Sequence, residues 1–104
     1  MPQGIPQGFT PPADGVHVFA VRKVETQTDS YGKLQEVVEC AVDPVQGQEE
    51  KTARLFFPHQ SKKWFDQGVS AGIIGVSGEY WEVIPGSQCR VLVQNGKTVS
   101  LFKL

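Results

Sequence analysis

The sequence predicts an all-β fold, a five- to six-stranded antiparallel barrel with one short helix between strands 3 and 4. Three observations predict it. Apolar and polar residues alternate in several segments, most clearly in "KLQEVVECAVD", where Leu34, Val38, Cys40 and Val42 alternate with Gln35, Glu39 and Asp43. Eleven glycines and seven prolines are spread over 104 residues, which suits many turns and short strands. One stretch, "HQSKKWFDQG", holds no β-branched residue and offers Ser61 as a cap, so a single helix interrupts the strands.

In chain order, "MPQGIPQGFTPPADG" is rich in proline and glycine and repeats "PQG", so residues 1–14 read as a flexible arm. The domain then covers residues 15–104, a length that supports one core without metal or disulfide. "GVHVFAVRKVET" places Val16, Val18, Ala20 and Val24 on one parity, with Arg22 interrupting, and Phe19 and Val21 on the other. Mixed parity predicts a long strand that bulges or is buried on both sides. "QTDSYGK" is a turn supplied by Asp29, Ser30 and Gly32.

The alternating "KLQEVVECAVD" is the second strand and "PVQGQEE" a loop. "KTARLFFP" is the third strand, with Ala53, Leu55 and Phe57 opposed to Arg54 and Phe56, and Pro58 ends it. The helix is expected over residues 60–67, closed by Asp66 and Gly68. "IIGVSGEYWEVI" reads as one fourth strand, which Gly75 and Gly78 allow to bend. Its parity puts Tyr80 with Ile74, Val76 and Ile84 toward the core and turns Trp81 outward. "QCRVLVQ" and "KTVSLFKL" form a closing hairpin around Asn95–Gly96, the strongest short hairpin signal.

Three strands, a helix, then further strands is the order of the OB-fold, a Greek-key barrel with its helix between strands 3 and 4. SH3-like barrels normally lack that helix, and an immunoglobulin-type sandwich wants more strands. Both cysteines, Cys40 and Cys89, lie in apolar strands and read as reduced core thiols. No apolar run approaches a membrane span, and no basic segment with an apolar core opens the chain, so an intracellular protein is expected.

Motifs for chemistry are weak. "GVSAG" matches the nucleophile-elbow pattern around Ser70, but it runs from helix to strand, the reverse of what an elbow needs. "GKT" at Gly96 lacks a P-loop's glycine-rich lead. His17, His59, Cys40 and Cys89 show no paired metal-ligand spacing. No enzymatic activity, metal or cofactor is expected. A net charge of −1 gives no global signal for nucleic acid, although charge is segregated along the chain. Residues 36–50 hold five acids and no base, whereas residues 51–65 hold four bases and no acid, which predicts a polarised surface.

Aromatics interleave with the bases: Phe19 near Arg22 and Lys23, Tyr31 near Lys33, Phe56 near Arg54, and Trp64 beside Lys63. Single-stranded nucleic acid needs rings for its bases and cations for its phosphates. The adjacent pairs Phe56–Phe57 and Tyr80–Trp81 cannot both face one core.

The run "VFAVRKVETQTDSYGKLQEVVECAVDP…KTARLFF" resembles, in pattern, the first three strands of phage-type OB-fold single-stranded DNA-binding proteins. The resemblance implies a non-enzymatic protein that binds single-stranded DNA, or RNA, with low sequence preference. It implies an oligomer in the cytoplasm of a bacterium or a phage-infected host. In that family the concave barrel face and the β1–β2 and β4–β5 loops hold the strand. Carried over, this selects Arg22, Lys23, Tyr31, Lys33, Arg54, Phe56, Trp81 and Arg90. Many such proteins end in an acidic tail that recruits partners, whereas this chain ends "SLFKL" within its last predicted strand. The competing expectation is a small β-barrel interaction module whose outward aromatics dock a protein partner.

Overall fold

A computed structural model describes residues 12–104. Most of the arm expected over residues 1–14 therefore lies outside the described residues. The elements are β1 (Gly15–Thr28), β2 (Leu34–Val42), β3 (Lys51–Pro58), α1 (Lys62–Ala71), β4 (Ile74–Ser77), β5 (Tyr80–Val83), β6 (Gln88–Gln94) and β7 (Lys97–Lys103). Five strands form one antiparallel sheet in the order β3-β2-β1-β6-β7, and β4 pairs with β5 alone.

The alternation sets the two faces of the sheet. Phe19 and Val21 of β1, Val38 and Cys40 of β2, Leu55 and Phe57 of β3, Cys89 and Val91 of β6, and Leu101 of β7 share a core with Ile73 and Ile74. β1 is long and bulged as its mixed parity predicts. The register with β2 shifts between Val21 and Lys23, leaving Arg22 as the extra residue. Both thiols are free and buried, and burial pushes Cys40 up to about 12 and Cys89 up to about 11.

No hydrogen-bonded closure joins β3 to β7 among the described residues, so the expected closed barrel is replaced by an open sheet with a helical cover. α1 packs against β3, β4 and β7 and takes the place of strand-to-strand closure. Gln67 fixes that seat, its side-chain oxygen accepting from the Leu101 N–H at 2.7 Å. Ser61 caps the helix as expected, accepting from the Trp64 N–H at 3.3 Å. The helix runs a turn beyond its expected end at 67. Gly68 is an interior residue buried by packing, and Gly72, at φ +84°, is the terminator, with its N–H and that of Ile73 returning to the last turn.

The expected fourth strand is two strands. Gly78, at φ +62°, occupies the first central position of a two-residue turn between Ser77 and Tyr80, where a side chain would be strained. The chain reverses there instead of bending, and parity counted through Gly78 fails. Val76 pairs with Trp81 and Ile74 with Val83, so Trp81 shares the face of two core residues. Tyr80, expected inside, is exposed.

His17 closes the start of β1. Its Nδ1 lies 2.6 Å from Asp43 Oδ2 and its Nε2 2.6 Å from the Ala13 carbonyl, while Asp43 Oδ1 accepts from the Val18 N–H at 2.8 Å. Both ring nitrogens face acceptors, which favours imidazolium: bonds to Asp43 and Ala13 raise His17 above its ordinary 6.5. Burial alone would raise Asp43, but His17 and the Val18 N–H outweigh it and hold the carboxyl below 3.8. The His17 contribution is therefore complete below pH 6.5 and lost as pH rises through its higher folded value. That of Asp43 is present above pH 3.8 and lost as pH falls through its lower folded value. In urea unfolding against pH, His17→Gln should remove the decline on the alkaline side of 6.5; an unchanged profile would mean that the bridge does not contribute.

Candidate nucleic-acid interface

The face of the sheet opposite the core collects four of the eight expected residues, Lys23, Arg54, Phe56 and Arg90. Cross-strand registers place them in rows. Lys23 of β1 lies opposite Glu39 of β2, which lies opposite Arg54 of β3. One step along, Val37 lies opposite Phe56. At the other side, Val18 of β1 faces Arg90 of β6, which faces Phe102 of β7. Phe56 and Phe102 are about half exposed, at 49% and 47%, and both are available to a ligand. They stand on the two outer strands, four strand spacings or roughly 19 Å apart across the sheet, and are offset along it, the Phe56 row meeting β1 at Glu25 and the Phe102 row at Val18. Arg54, Lys23 and Arg90 lie on the strands from β3 to β6.

Phe102 was not selected from sequence. The register counted from the Asn95–Gly96 turn would set Phe102 opposite the buried Cys89, and a shift between Leu92 and Val93 sets it opposite Arg90 instead, so the sequence carried no clear signal for it.

Tyr31 and Lys33 stand apart from this face at the tip of the β1–β2 hairpin, both exposed. Asp29 builds the tip, its Oδ1 accepting from the Tyr31 N–H at 2.8 Å and the Lys33 N–H at 2.9 Å. Tyr31 is 85% exposed, the most of any large apolar or aromatic residue among the described residues.

Two of the expected residues are differently occupied. Arg22 is engaged by Glu50, donating from Nη2 at 2.8 Å and from Nε at 3.3 Å, and this pairing raises its affinity for the proton further. Trp81 is half-buried, edge-on to Phe65 at 5.5 Å and tilted against His59 at 5.2 Å. It lies with the β4–β5 hairpin and not on the outer face.

Charge is less polarised than the sequence runs suggest. β2 carries the acidic run and β3 the basic one, and antiparallel pairing sets Glu39 beside Arg54. Folding thus interleaves what the sequence separates, and the outer face is mixed, with Glu25 also 3.7 Å from Lys23. Both histidines pair with carboxylates, His59 Nε2 lying 2.6 Å from Glu36 Oε2. Among the described residues no group of three or more His, Cys, Asp or Glu could hold a metal ion, and no helix is long and apolar enough to cross a membrane. Comparison with protein-family models, with curated proteins and with solved structures gives no match.

Proposed function

We propose that the protein binds single-stranded DNA across the outer face of an OB-like sheet, by stacking and phosphate neutralisation and without an enzymatic step. The observation that carries this reading is the common outer face of Phe56, Phe102, Arg54, Lys23 and Arg90, set by the registers of five consecutive strands. The five-strand order with a helix after β3 supports the OB-like reading, the β4–β5 hairpin being an addition between the helix and the next strand. Tyr31 and Lys33 extend the surface at the hairpin tip. RNA would meet the same rings and cations, since neither reads the sugar.

A fluorescent oligo-dT titrated at low salt tests this. Three or four phosphate contacts should give a slope of log Kobs against log salt of roughly −2 to −3, at about −0.7 each. No saturable binding at low salt rejects the proposal.

A second reading, a protein-interaction module, is favoured by the acids among those bases, Glu39 between Lys23 and Arg54 and Glu50 on Arg22. Sedimentation at two concentrations separates the readings. A stable dimer that buries Phe56 and excludes oligo-dT would replace the first reading with the second.

A further inference from the structure

A second surface lies away from the outer face. β1 meets β6 from Gly15 to Ala20 and β2 from Phe19 onward, so among the described residues only Phe19 and Ala20 are in both ladders. Two backbone bonds continue the β6 edge, between Val21 and the Gly86–Ser87 turn, at 2.8 and 2.9 Å. From Lys23 to Thr28 the strand pairs with β2 alone among the described residues. Among the described residues β5 is paired only with β4. A cleft of about 420 Å³ lies between these two half-paired strands, lined by Thr26 of β1 and by Tyr80, Trp81 and Glu82 of β5. That volume falls in the range of built ligand sites, about 300–1,000 Å³.

The lining combines acidic and aromatic residues with the apolar Val24, Val83 and Pro85. Glu36, Glu79 and Glu82 contribute to it, and no Lys or Arg does. Glu36 is held by the Thr26 hydroxyl, which donates at 2.9 Å, and by His59. The side chains of Glu79 and Glu82 make no hydrogen bond or ion pair among the described residues, and both residues are exposed. Phe65 braces the Trp81 ring from the core side and the exposed His59, which also lines the cleft, lies tilted against it, so its orientation is set before any ligand arrives. A planar cation suits this lining: guanidinium stacks on an aromatic face and gives its fork of donors to carboxylates. An exposed strand edge takes an extended chain through its unpaired backbone groups.

We propose that this cleft docks an extended segment of a partner polypeptide, added to the free edge of β1, with an arginine side chain against Trp81 among Glu36, Glu79 and Glu82. The occupant follows from charge complementarity and from the half-paired strand together. Carboxylates repel a phosphate backbone, and a free small cation would leave the strand edge unused. The surface is separate from the outer face, so the inference does not depend on DNA binding there.

The test is NMR on the ¹⁵N-labelled full chain, titrated with the capped pentapeptide Thr-Val-Arg-Val-Thr. The expected result is saturable shifts of the Trp81 indole N–H and of the amides from Val24 to Thr28, with Kd between about 0.1 and 1 mM. The Glu79→Gln/Glu82→Gln variant, changed only at exposed positions, should bind about three- to tenfold more weakly, as should a peptide with Gln for Arg. Four results overturn the proposal: no saturation, equal affinity for the Gln peptide, equal affinity for capped arginine alone, or displacement of the peptide from these resonances by oligo-dT. Oligo-dT shifts confined to Phe56, Arg54 and Phe102 report on the outer face and leave this inference standing on its own data.

Discussion

Replacing Phe57 by Ala is expected to cost about 3–5 kcal/mol of folding stability, while the same change at Phe56 costs less than about 1 kcal/mol. The two rings are neighbours in β3 and differ only in the face they take. Phe57 is 1% exposed within the core, and Phe56 is half exposed beside Val37 on the outer face. A domain of this size changes its melting temperature by about 4–8 °C per kcal/mol, so the first variant should melt at least about 12 °C lower. Binding should show the opposite order. Loss of the Phe56 ring should weaken oligo-dT by about 1–3 kcal/mol, or about 5- to 150-fold. Thermal unfolding and fluorescence anisotropy on both variants check the pair. A Phe56→Ala protein that binds as the parent does rejects stacking at that position. One that unfolds like Phe57→Ala removes the outer face as a free surface.

The same alternation explains what was legible before the structure. β3 and β6 are half-buried strands of period two, and the structure keeps their inward and outward sets as the pattern gives them, whereas in β2 Val38, Cys40 and Val42 are buried as expected but Val37 and Ala41 are buried as well and Leu34 is exposed. The β6–β7 turn was readable because Asn-Gly supplies the left-handed conformations of a two-residue loop, Asn95 standing at φ +53°. The bulge of β1 showed as a break in parity at Arg22. Legibility ended where a glycine had two uses. Gly78 inside a strand pattern signals a bend or a reversal, and the reversal won, which exchanged the roles of Tyr80 and Trp81. The mixed charge of the outer face was hidden for another reason. Runs of like charge are local, whereas the neighbour that neutralises a charge is chosen by strand pairing. The same holds for His59 and Glu36, which are 23 residues apart and meet only in the fold.

Gly68 gives the second large expected effect, again by a glycine whose use the sequence left open. In an exposed helix interior, Gly→Ala adds about 1 kcal/mol of stability. Here the substitution should destabilise the protein by about 1–2 kcal/mol. A methyl group at this position would overlap the Ile74 side chain, with Cδ1 closest and Cγ1 at 2.7 Å, and would press on Phe57 at 3.2 Å. Ile74 is 5% exposed and Phe57 1%, so neither can swing into solvent, and overpacking of this kind costs about 1–3 kcal/mol. The helix must then lift from β3 and β4. Phe65, one turn earlier on α1, leans on Trp81, so the lift should also change the near-ultraviolet circular dichroism of that ring. Ser70→Ala, at an exposed position of the same helix, should be neutral or slightly stabilising and serves as the control. If Gly68→Ala melts with Ser70→Ala, the Ile74 side chain yields without cost, and the seat of the helix is set by Gln67 and its bond to β7 instead.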